Sequence, residues 1–299
     1  TGEMMKLSHR GGFYTSASGV RSAANFEGTI GARARFSYRL LNHERITKPL
    51  LKLGNAFREI SFQDAFSIIA KKISASAADE CAFFAGAGLT NEELFLLKKF
   101  SGFINTPNID SFHYLNRGRG YVKASENSLP LNDLSLSDSC FVFGANLFGS
   151  NQTTGFRVFN TIFRHGIPMT FITVDGEKMM ERRASDYIRI SSFYSFVKAV
   201  NKYIVVNNMF NRVFIDGRCE GFDNYIMELA KEDFEALVIK SGTDRDSVVG
   251  FAEKFCNCQR PALIFAEEDI DPATATEIRN LSLIAGKTGK TGSGTICLK

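Results

Sequence analysis

The sequence predicts an α/β protein with parallel sheets. Short apolar runs rich in β-branched and aromatic residues, typical of buried strands, alternate with segments whose apolar residues recur at helical spacing. The clearest alternation runs from Asp138 to Asp175, where two such runs flank a helix-like segment that ends at Gly166. A second strand–glycine–helix beginning lies at 81–93. Because parallel strands need crossover helices, we expect two α/β subdomains of similar design.

Composition and charge limit the kinds of partner and cellular environment that the chain could have. The 299 residues are 44% hydrophobic, which is ample for cores, and the net charge of +4 is too mild to indicate nucleic acid binding. No apolar run reaches the roughly 20 residues of a membrane span, so no direct membrane insertion is expected. The six cysteines are scattered, as in a cytoplasmic protein with reduced thiols.

The first part of the chain begins with an irregular lead-in, 1–46, which lacks strong periodicity. Ser61-Phe-Gln-Asp64 resembles a capping box and predicts the start of a helix. Cys81–Phe84 is a predicted strand, and Thr90-Asn-Glu-Glu93 starts the next helix. Asn108–Asp110 predicts a further short strand.

The central βαβ unit follows. Ser139–Phe143 and Met169–Val174 are its predicted strands, and a helix from about Thr153 to His165 joins them. The remaining predicted elements are a strand at Asp186–Ile190, a helix at Phe193–Val206, short helices within 209–255, a strand at Pro261–Ala266 and a helix from Pro272 to Ala285.

Gly144 and Asn146 stand where the first strand of the central unit ends. Ligands of open α/β sheets bind outside the carboxyl ends of the strands, and a helix N-terminus beyond such a turn attracts anions. This turn is therefore the predicted place for a nucleotide-like ligand.

Other motifs carry less weight. Gly289-Lys-Thr291 lacks the first glycine of a phosphate loop, where Ile284 stands, and Gly86-Ala-Gly88 is half a dinucleotide fingerprint. Cys256-Asn-Cys258 lacks a second ligand pair, so helix-end thiols are favoured over a metal site. His113 is the best catalytic candidate among the histidines, although a structural role is favoured for it too.

Several short sequence motifs occur in the same order as in a known protein family. These are Arg35-Phe-Ser-Tyr38, Arg45–Leu50, Ile60–Ala65, Asn91-Glu92, Asn108–Asp110, Gly144–Asn146, Val174-Asp175, Ala184–Asp186 and Leu283–Gly294. Over about residues 30–299 the chain resembles the molybdopterin oxidoreductase superfamily, which includes formate dehydrogenase large subunits. It is most similar to the large iron–sulfur (G) subunit of respiratory NADH:quinone oxidoreductase, complex I.

The resemblance implies two parallel-sheet subdomains of the formate dehydrogenase/DMSO reductase type in an excerpt of a longer chain. The implied domains are the lead-in 1–46, a remnant of a first iron–sulfur domain, then a discontinuous α/β domain, 47–119 plus 259–299, and an inserted nucleotide-binding-like α/β domain, 120–258.

Three departures from the family pattern argue against metal chemistry. The position of the fourth iron–sulfur cysteine is Gly31, and no cysteine precedes Cys81. Asn116 stands where the family has a molybdenum ligand, and Gly176-Glu177 replaces Pro-Arg. We therefore expect no cofactor in this chain, including molybdopterin guanine dinucleotide, and iron–sulfur clusters only upstream of Thr1.

The resemblance thus predicts a non-catalytic scaffold domain of a complex I G-type subunit, bound to other subunits of a respiratory complex in the cytoplasm, peripheral to the inner membrane. No catalytic or metal residue is predicted; Gly144, Asn146, Asp175 and Arg33 are predicted remnants of a cofactor site. The alternatives are part of a molybdopterin-dependent, formate-dehydrogenase-like oxidoreductase, and a nucleotide-binding module.

Overall fold

The computed structural model describes residues 4–22, 28–86, 88–111, 128–144, 147, 149, 152–176 and 178–298. The chain forms two compact units. Unit 1 comprises 1–6, 17–36 and 118–299, and unit 2 comprises 7–16 and 37–117.

The described strands are β1 (Met5–Arg10), β2 (Phe13–Gly19), β3 (Leu50–Leu53), β4 (Ala56–Glu59), β5 (Phe83–Phe84), β6 (Ile109–Asp110), β7 (Ser139–Phe143), β8 (Met169–Thr173), β9 (Asp186–Arg189), β10 (Pro261–Ala266) and β11 (Gly294–Leu298). The described α-helices are α1 (Ala32–Phe36), α2 (Tyr38–Leu41), α3 (Phe62–Ala75), α4 (Asn91–Phe103), α5 (Gln152–His165), α6 (Lys178–Glu181), α7 (Phe193–Val206), α8 (Arg212–Arg218), α9 (Phe222–Ala230), α10 (Phe234–Ser241), α11 (Arg245–Asn257) and α12 (Pro272–Ile284).

Unit 1 is built on a five-stranded sheet in the order β11-β10-β7-β8-β9, and every pairing in it is parallel. The central strand β7 pairs with both β8 and β10, with Val142 opposite Phe171 on one side and Ile264 on the other. Every residue of β7, β8 and β10 is buried. A parallel sheet covered on both faces produces such continuous apolar strands, and the predicted α/β class is confirmed.

Helices cover both faces of this sheet. Side chains alternate along β7, so Phe141 and Phe143 pack with apolar residues of α7, α11 and α12, whereas Cys140 and Val142 pack with α5. The helix after β7 and the helix after β10 therefore lie on opposite faces, as in a doubly wound fold.

Phe251 of α11 is the centre of an aromatic cluster under the first of these faces. It is 3% exposed, and its ring centroid lies 5.2 Å from those of Phe141 and Phe196. Phe143 and Phe255 complete the cluster, with centroids 6.0 and 6.3 Å from that of Phe251. These rings join the sheet to α7 and α11.

A buried polar network joins α7, α9 and α12. Lys198 Nζ lies 3.6 Å from Glu277 Oε1 and donates to Tyr194 Oη at 2.8 Å. Tyr225 Oη and Asn201 Nδ2 donate to Glu277 Oε2 at 2.5 and 3.0 Å. Burial lowers the pKa of Lys198, but the Tyr194 hydrogen bond and the Glu277 charge outweigh it, so the net pKa is raised. The raised pKa keeps Lys198 protonated at neutral pH, and the side chains of Lys198 and Glu277 are both less than 10% exposed.

Unit 2 is smaller and has little interior. Its strands form an antiparallel hairpin, β3–β4, and a parallel pair, β5–β6, of two residues each. Both predicted helix starts are confirmed: Ser61 Oγ accepts from Asp64 N at 3.0 Å, and Thr90 and Glu93 form a reciprocal capping box at the start of α4.

Three features differ from the sequence-based expectations. The lead-in contains the β1–β2 hairpin, and β11 follows the glycine-rich tail. Moreover, β10 and β11 belong to the sheet of β7, whereas the resemblance groups 259–299 with 47–119. A contact explains this placement: Asp138, just before β7, accepts hydrogen bonds at Oδ2 from the backbone N of Gln259 and Arg260, at 2.6 and 3.0 Å. It thereby aligns the starts of the two apolar strands.

Candidate nucleotide crevice

The topology of unit 1 defines one place for a ligand crevice. From β7 the chain passes through α5 to β8 on one side, and from β10 it passes through α12 to β11 on the other. The carboxyl ends of β7 and β10 therefore border the topological switch point, where ligands bind in open α/β sheets. The predicted site at Gly144 lies at this point.

Gly144 ends β7 with a left-handed backbone, φ +62°, and its N donates to Ile172 O at 2.8 Å. A glycine there would let a ligand approach the backbone closely. In this chain the approaching group is a side chain of the protein itself. A Cβ built on Gly144 would lie 2.9 Å from Cβ and 3.2 Å from Oδ2 of Asp269.

Asp269 belongs to an acidic loop between β10 and α12. Glu267 and Glu268 precede it, and Asp271 is the N-cap of α12, where its Oδ1 accepts from the backbone N of Ala273 and Thr274. Glu268 and Asp269 are exposed. On the β10 side, the switch point therefore presents carboxylates.

The β8 side of the edge carries both signs of charge. Asp175 is exposed just after β8, and Gly176 follows with φ +77°. A Cβ built on Gly176 would lie 3.4 Å from Tyr187 Oη and 3.8 Å from Arg189 Cζ. Arg189, at the end of β9, thus places a guanidinium beside the Asp175–Gly176 turn.

The start of α5 is tied to α1. Gln152 Oε1 accepts from the backbone N of Ala32 at 2.6 Å, which holds the helix carrying Arg33 next to the helix that follows β7. Arg33 itself is exposed. Gly155 allows close packing here, because a Cβ on it would lie 2.0 Å from Leu147 O.

Of the predicted site residues, Gly144 and Asp175 lie at adjacent strand ends, and Arg33 lies in a helix held to α5. Asn146 lies outside the described residues, as do three other positions on which the sequence analysis depends: His113, Asn116 and Glu177. Asp269 and Arg189 were missed. Each is a charged residue at or shortly after the carboxyl end of a predicted strand, and this pattern could have marked both as site candidates. It identifies them as part of this site only when the neighbouring strands are known.

The glycine-rich tail is a turn, as predicted. It connects α12 to β11, so a helix precedes it and a strand follows it, the reverse of a phosphate loop. Gly289–Ser293 and Ser128–Pro130 help to line a cavity of about 270 Å³.

Two of the cysteines, one buried and one half-buried, hold their protons firmly. Burial raises the pKa of Cys140, inside β7, to about 12, and that of Cys256, in α11, to about 11. Both thiols are therefore protonated at neutral pH. Among the residues that the structure describes, no three His, Cys, Asp or Glu side chains are grouped as metal ligands.

Comparison with known proteins identifies the family. A family model described as molybdopterin oxidoreductase matches residues 45–194, half of the chain. The chain belongs to the molybdopterin oxidoreductase family. The match includes β7, α5 and β8, and thus the β7 and β8 side of the crevice.

Similar curated proteins include formate dehydrogenases. The chain is 28% identical over 289 residues to the "Probable oxidoreductase YjgC" of Bacillus subtilis, covering 89% of this chain and 29% of that protein. It is 26% identical over 288 residues to the "F420-dependent formate dehydrogenase subunit alpha" of Methanocaldococcus jannaschii, covering 90% of this chain and 42% of that protein. The chain thus spans less than half the length of these relatives.

A solved structure confirms the fold. "Acetylene Hydratase from Pelobacter acetylenicus" superimposes with a TM-score of 0.77 at 14% identity, over 97% of this chain and 42% of that one. At that identity the likeness concerns the fold alone. Within the described residues, no helix has the length and apolar character needed to cross a bilayer.

The family name implies a molybdopterin cofactor, and the described residues at the crevice do not fit its dinucleotide form. A diphosphate needs backbone amides or cations, whereas the space over Gly144 is filled by the Asp269 side chain. Two unit charges of the same sign about 5 Å apart repel by about 3 kcal/mol at an effective dielectric constant near 20.

Proposed function

We propose that this chain is a non-catalytic domain of a larger oxidoreductase polypeptide of the formate-dehydrogenase-like kind. The observation that carries the proposal is the contact of Asp269 with Gly144 at the switch point. A cofactor-binding domain would present an open glycine turn and positive charge there. In the proposed role the doubly wound sheet supports neighbouring parts of the polypeptide instead of holding a pterin dinucleotide.

The sequence departures support the same proposal independently of the crevice. Asn116 stands at the position of the family's molybdenum ligand, and Gly31 stands at that of the fourth iron–sulfur cysteine. An amide oxygen is a poor replacement for a soft thiolate ligand. These substitutions would remove the metal and the cluster, while the acidic loop would weaken binding of the dinucleotide.

A complex I G-type subunit is a second candidate for the whole polypeptide. The ordered phrases from Arg35-Phe36 to Leu283–Gly294 favour it, whereas the names of the curated relatives favour the formate-dehydrogenase-like assignment. In that candidate the partners would be other subunits of a respiratory complex, at the cytoplasmic side of the inner membrane. A catalytic formate-dehydrogenase-like enzyme is the rival to both.

Calorimetric titration with a guanine or pterin dinucleotide tests the proposed role. We expect the wild-type chain to show no submicromolar binding, because the diphosphate would meet the Asp269 carboxylate. Asp269→Asn removes that charge with little change in shape and should tighten binding by up to about a hundredfold. Glu253→Gln, which removes an exposed charge from α11, is the matched control and should change nothing. Submicromolar affinity in the wild type would refute the proposal.

A further inference from the structure

The sequence contains two Asp-Gly pairs, Asp175-Gly176 and Asp216-Gly217, and no Asn-Gly pair. In an Asp-Gly pair the backbone nitrogen of the glycine can attack the aspartate carboxyl carbon, because glycine has no Cβ to shield that nitrogen. Each of the two pairs follows a β-branched aliphatic residue. The reacting residues and those before them are therefore matched, and the two sites differ mainly in their structural surroundings.

Asp175-Gly176 lies in the turn that follows β8. Both residues are exposed, and Gly176 has a left-handed backbone, φ +77°. The backbone N of Gly176 donates to Thr173 Oγ1 at 3.3 Å, a long and therefore weak hydrogen bond. Among the residues that the structure describes, none forms a hydrogen bond or salt bridge with the Asp175 carboxylate. Little therefore prevents this carboxyl group and the Gly176 nitrogen from rotating toward each other.

Asp216-Gly217, in contrast, lies inside the helix α8. Asp216 forms a salt bridge with Arg212 one turn earlier, with Nε 2.9 Å from Oδ1. The attack closes a small ring, which requires the aspartate Cβ and the next backbone nitrogen to be nearly eclipsed about the Cα–C bond. A helical ψ of about −42° holds these two atoms out of that arrangement. Reaching it would break the helix, so the fold protects this second pair.

We propose that Asp175 is a site of spontaneous isoaspartate formation in the folded protein and that Asp216 is not. The Gly176 nitrogen forms a bond to Cγ of Asp175, and the carboxyl hydroxyl leaves as water with the proton from that nitrogen. Water then breaks the bond between the nitrogen and the main-chain carbonyl carbon of Asp175, so the chain continues through the former side-chain carbon. The second step consumes the water that the first releases, and no oxidant or other reactant is needed.

The product alters the edge of the candidate crevice. An isoaspartyl linkage adds one carbon to the main chain between β8 and α6, and the former main-chain carbonyl becomes the free carboxylate. The net charge and the mass stay the same, but the position of the charge changes. The turn that becomes longer is the one that lies beside Tyr187 and Arg189.

Ageing of the full-length polypeptide at neutral pH and physiological temperature tests the inference. Its proteolytic peptides are separated and fragmented by electron transfer, which distinguishes isoaspartate from aspartate despite their equal mass. We expect isoaspartate to accumulate at Asp175 at least about tenfold faster than at Asp216, because only the turn reaches the reactive geometry without loss of a helix. Equal rates at the two sites, or no isoaspartate at Asp175, would overturn the inference.

Two controls separate structure from sequence. In urea, where α8 is unfolded, the two sites should react at similar rates, and a difference that persists there would refute the structural cause. Asp175→Glu keeps the charge but would have to close a larger ring, so the altered linkage should disappear from this peptide. An altered linkage that remains in the variant would refute the assignment to Asp175. No dinucleotide or metal takes part, so the outcome is independent of the proposed role of the crevice.

Discussion

Phe251→Ala is expected to lower the free energy of unfolding of unit 1 by about 3–5 kcal/mol. The ring is nearly fully buried and contacts four other phenylalanines, of which Phe141 and Phe196 are nearest. Removing it deletes a large apolar surface and leaves a cavity between the sheet and two helices, which the rigid β7 cannot close. The measurement is urea denaturation of the purified chain, followed by circular dichroism.

A matched control removes a phenyl ring from an exposed position, so that the effect of lost core packing can be measured separately. Phe163 is 62% exposed on α5, and Phe163→Ala should cost no more than about 1 kcal/mol. Similar losses in the two variants would contradict the assignment of Phe251 to the centre of the core.

Lys198→Met is expected to cost about 3–5 kcal/mol, although methionine is itself well suited to a buried site. The substitution removes the cation from Glu277 and leaves a carboxylate that is 6% exposed without its charge partner. The carboxylate keeps its hydrogen bonds from Tyr225 and Asn201, but its buried charge has neither hydration nor a cation to offset the loss of water. Thermal unfolding of the variant and the wild type measures the loss.

The double variant Lys198→Met/Glu277→Gln should recover much of that loss. Glutamine has no charge to leave unpaired, yet its carbonyl oxygen can still accept from Tyr225 and Asn201. Lys240→Met, at an exposed position on α10, is the control and should lie within about 0.5 kcal/mol of the wild type. A double variant that loses as much as the sum of its two single variants would contradict the paired geometry.

Local structure was largely predictable from the sequence because its signals are short-range. The central βαβ unit, the helix of 193–206 and the strand of 261–266 occur as predicted. Caps account for much of this success: Asp271 followed by Pro272 marks the start of α12, and Gly166 ends α5 with φ +61°.

Strand neighbours were not predictable from local patterns. β10 lies more than a hundred residues after β7, and its apolar run would suit the centre of any parallel sheet. Asp269, in the acidic loop, comes to lie over Gly144 only when the sheet is assembled. The predicted site therefore lacked the side chain that fills the space over Gly144. β11 was missed because it follows directly on the glycine-rich turn.

The helix α3 shows that predicting a helix does not predict how deeply its apolar side chains are buried. The sequence predicted the helix α3 with Phe66 and Ile69 on its inner side; the helix occurs, but these two side chains are 65 and 52% exposed. Ser61 and Asp64 define the helix start from within the segment, whereas a local pattern does not specify which other residues would have to cover Phe66.

Metal analysis of the full-length polypeptide, purified from cells grown with molybdate and tungstate, tests the central claim most directly. A non-catalytic domain without the family's metal ligand should carry molybdenum and tungsten far below one atom per chain. Molybdenum or tungsten at about one atom per chain, together with an extractable pterin dinucleotide, would contradict the account.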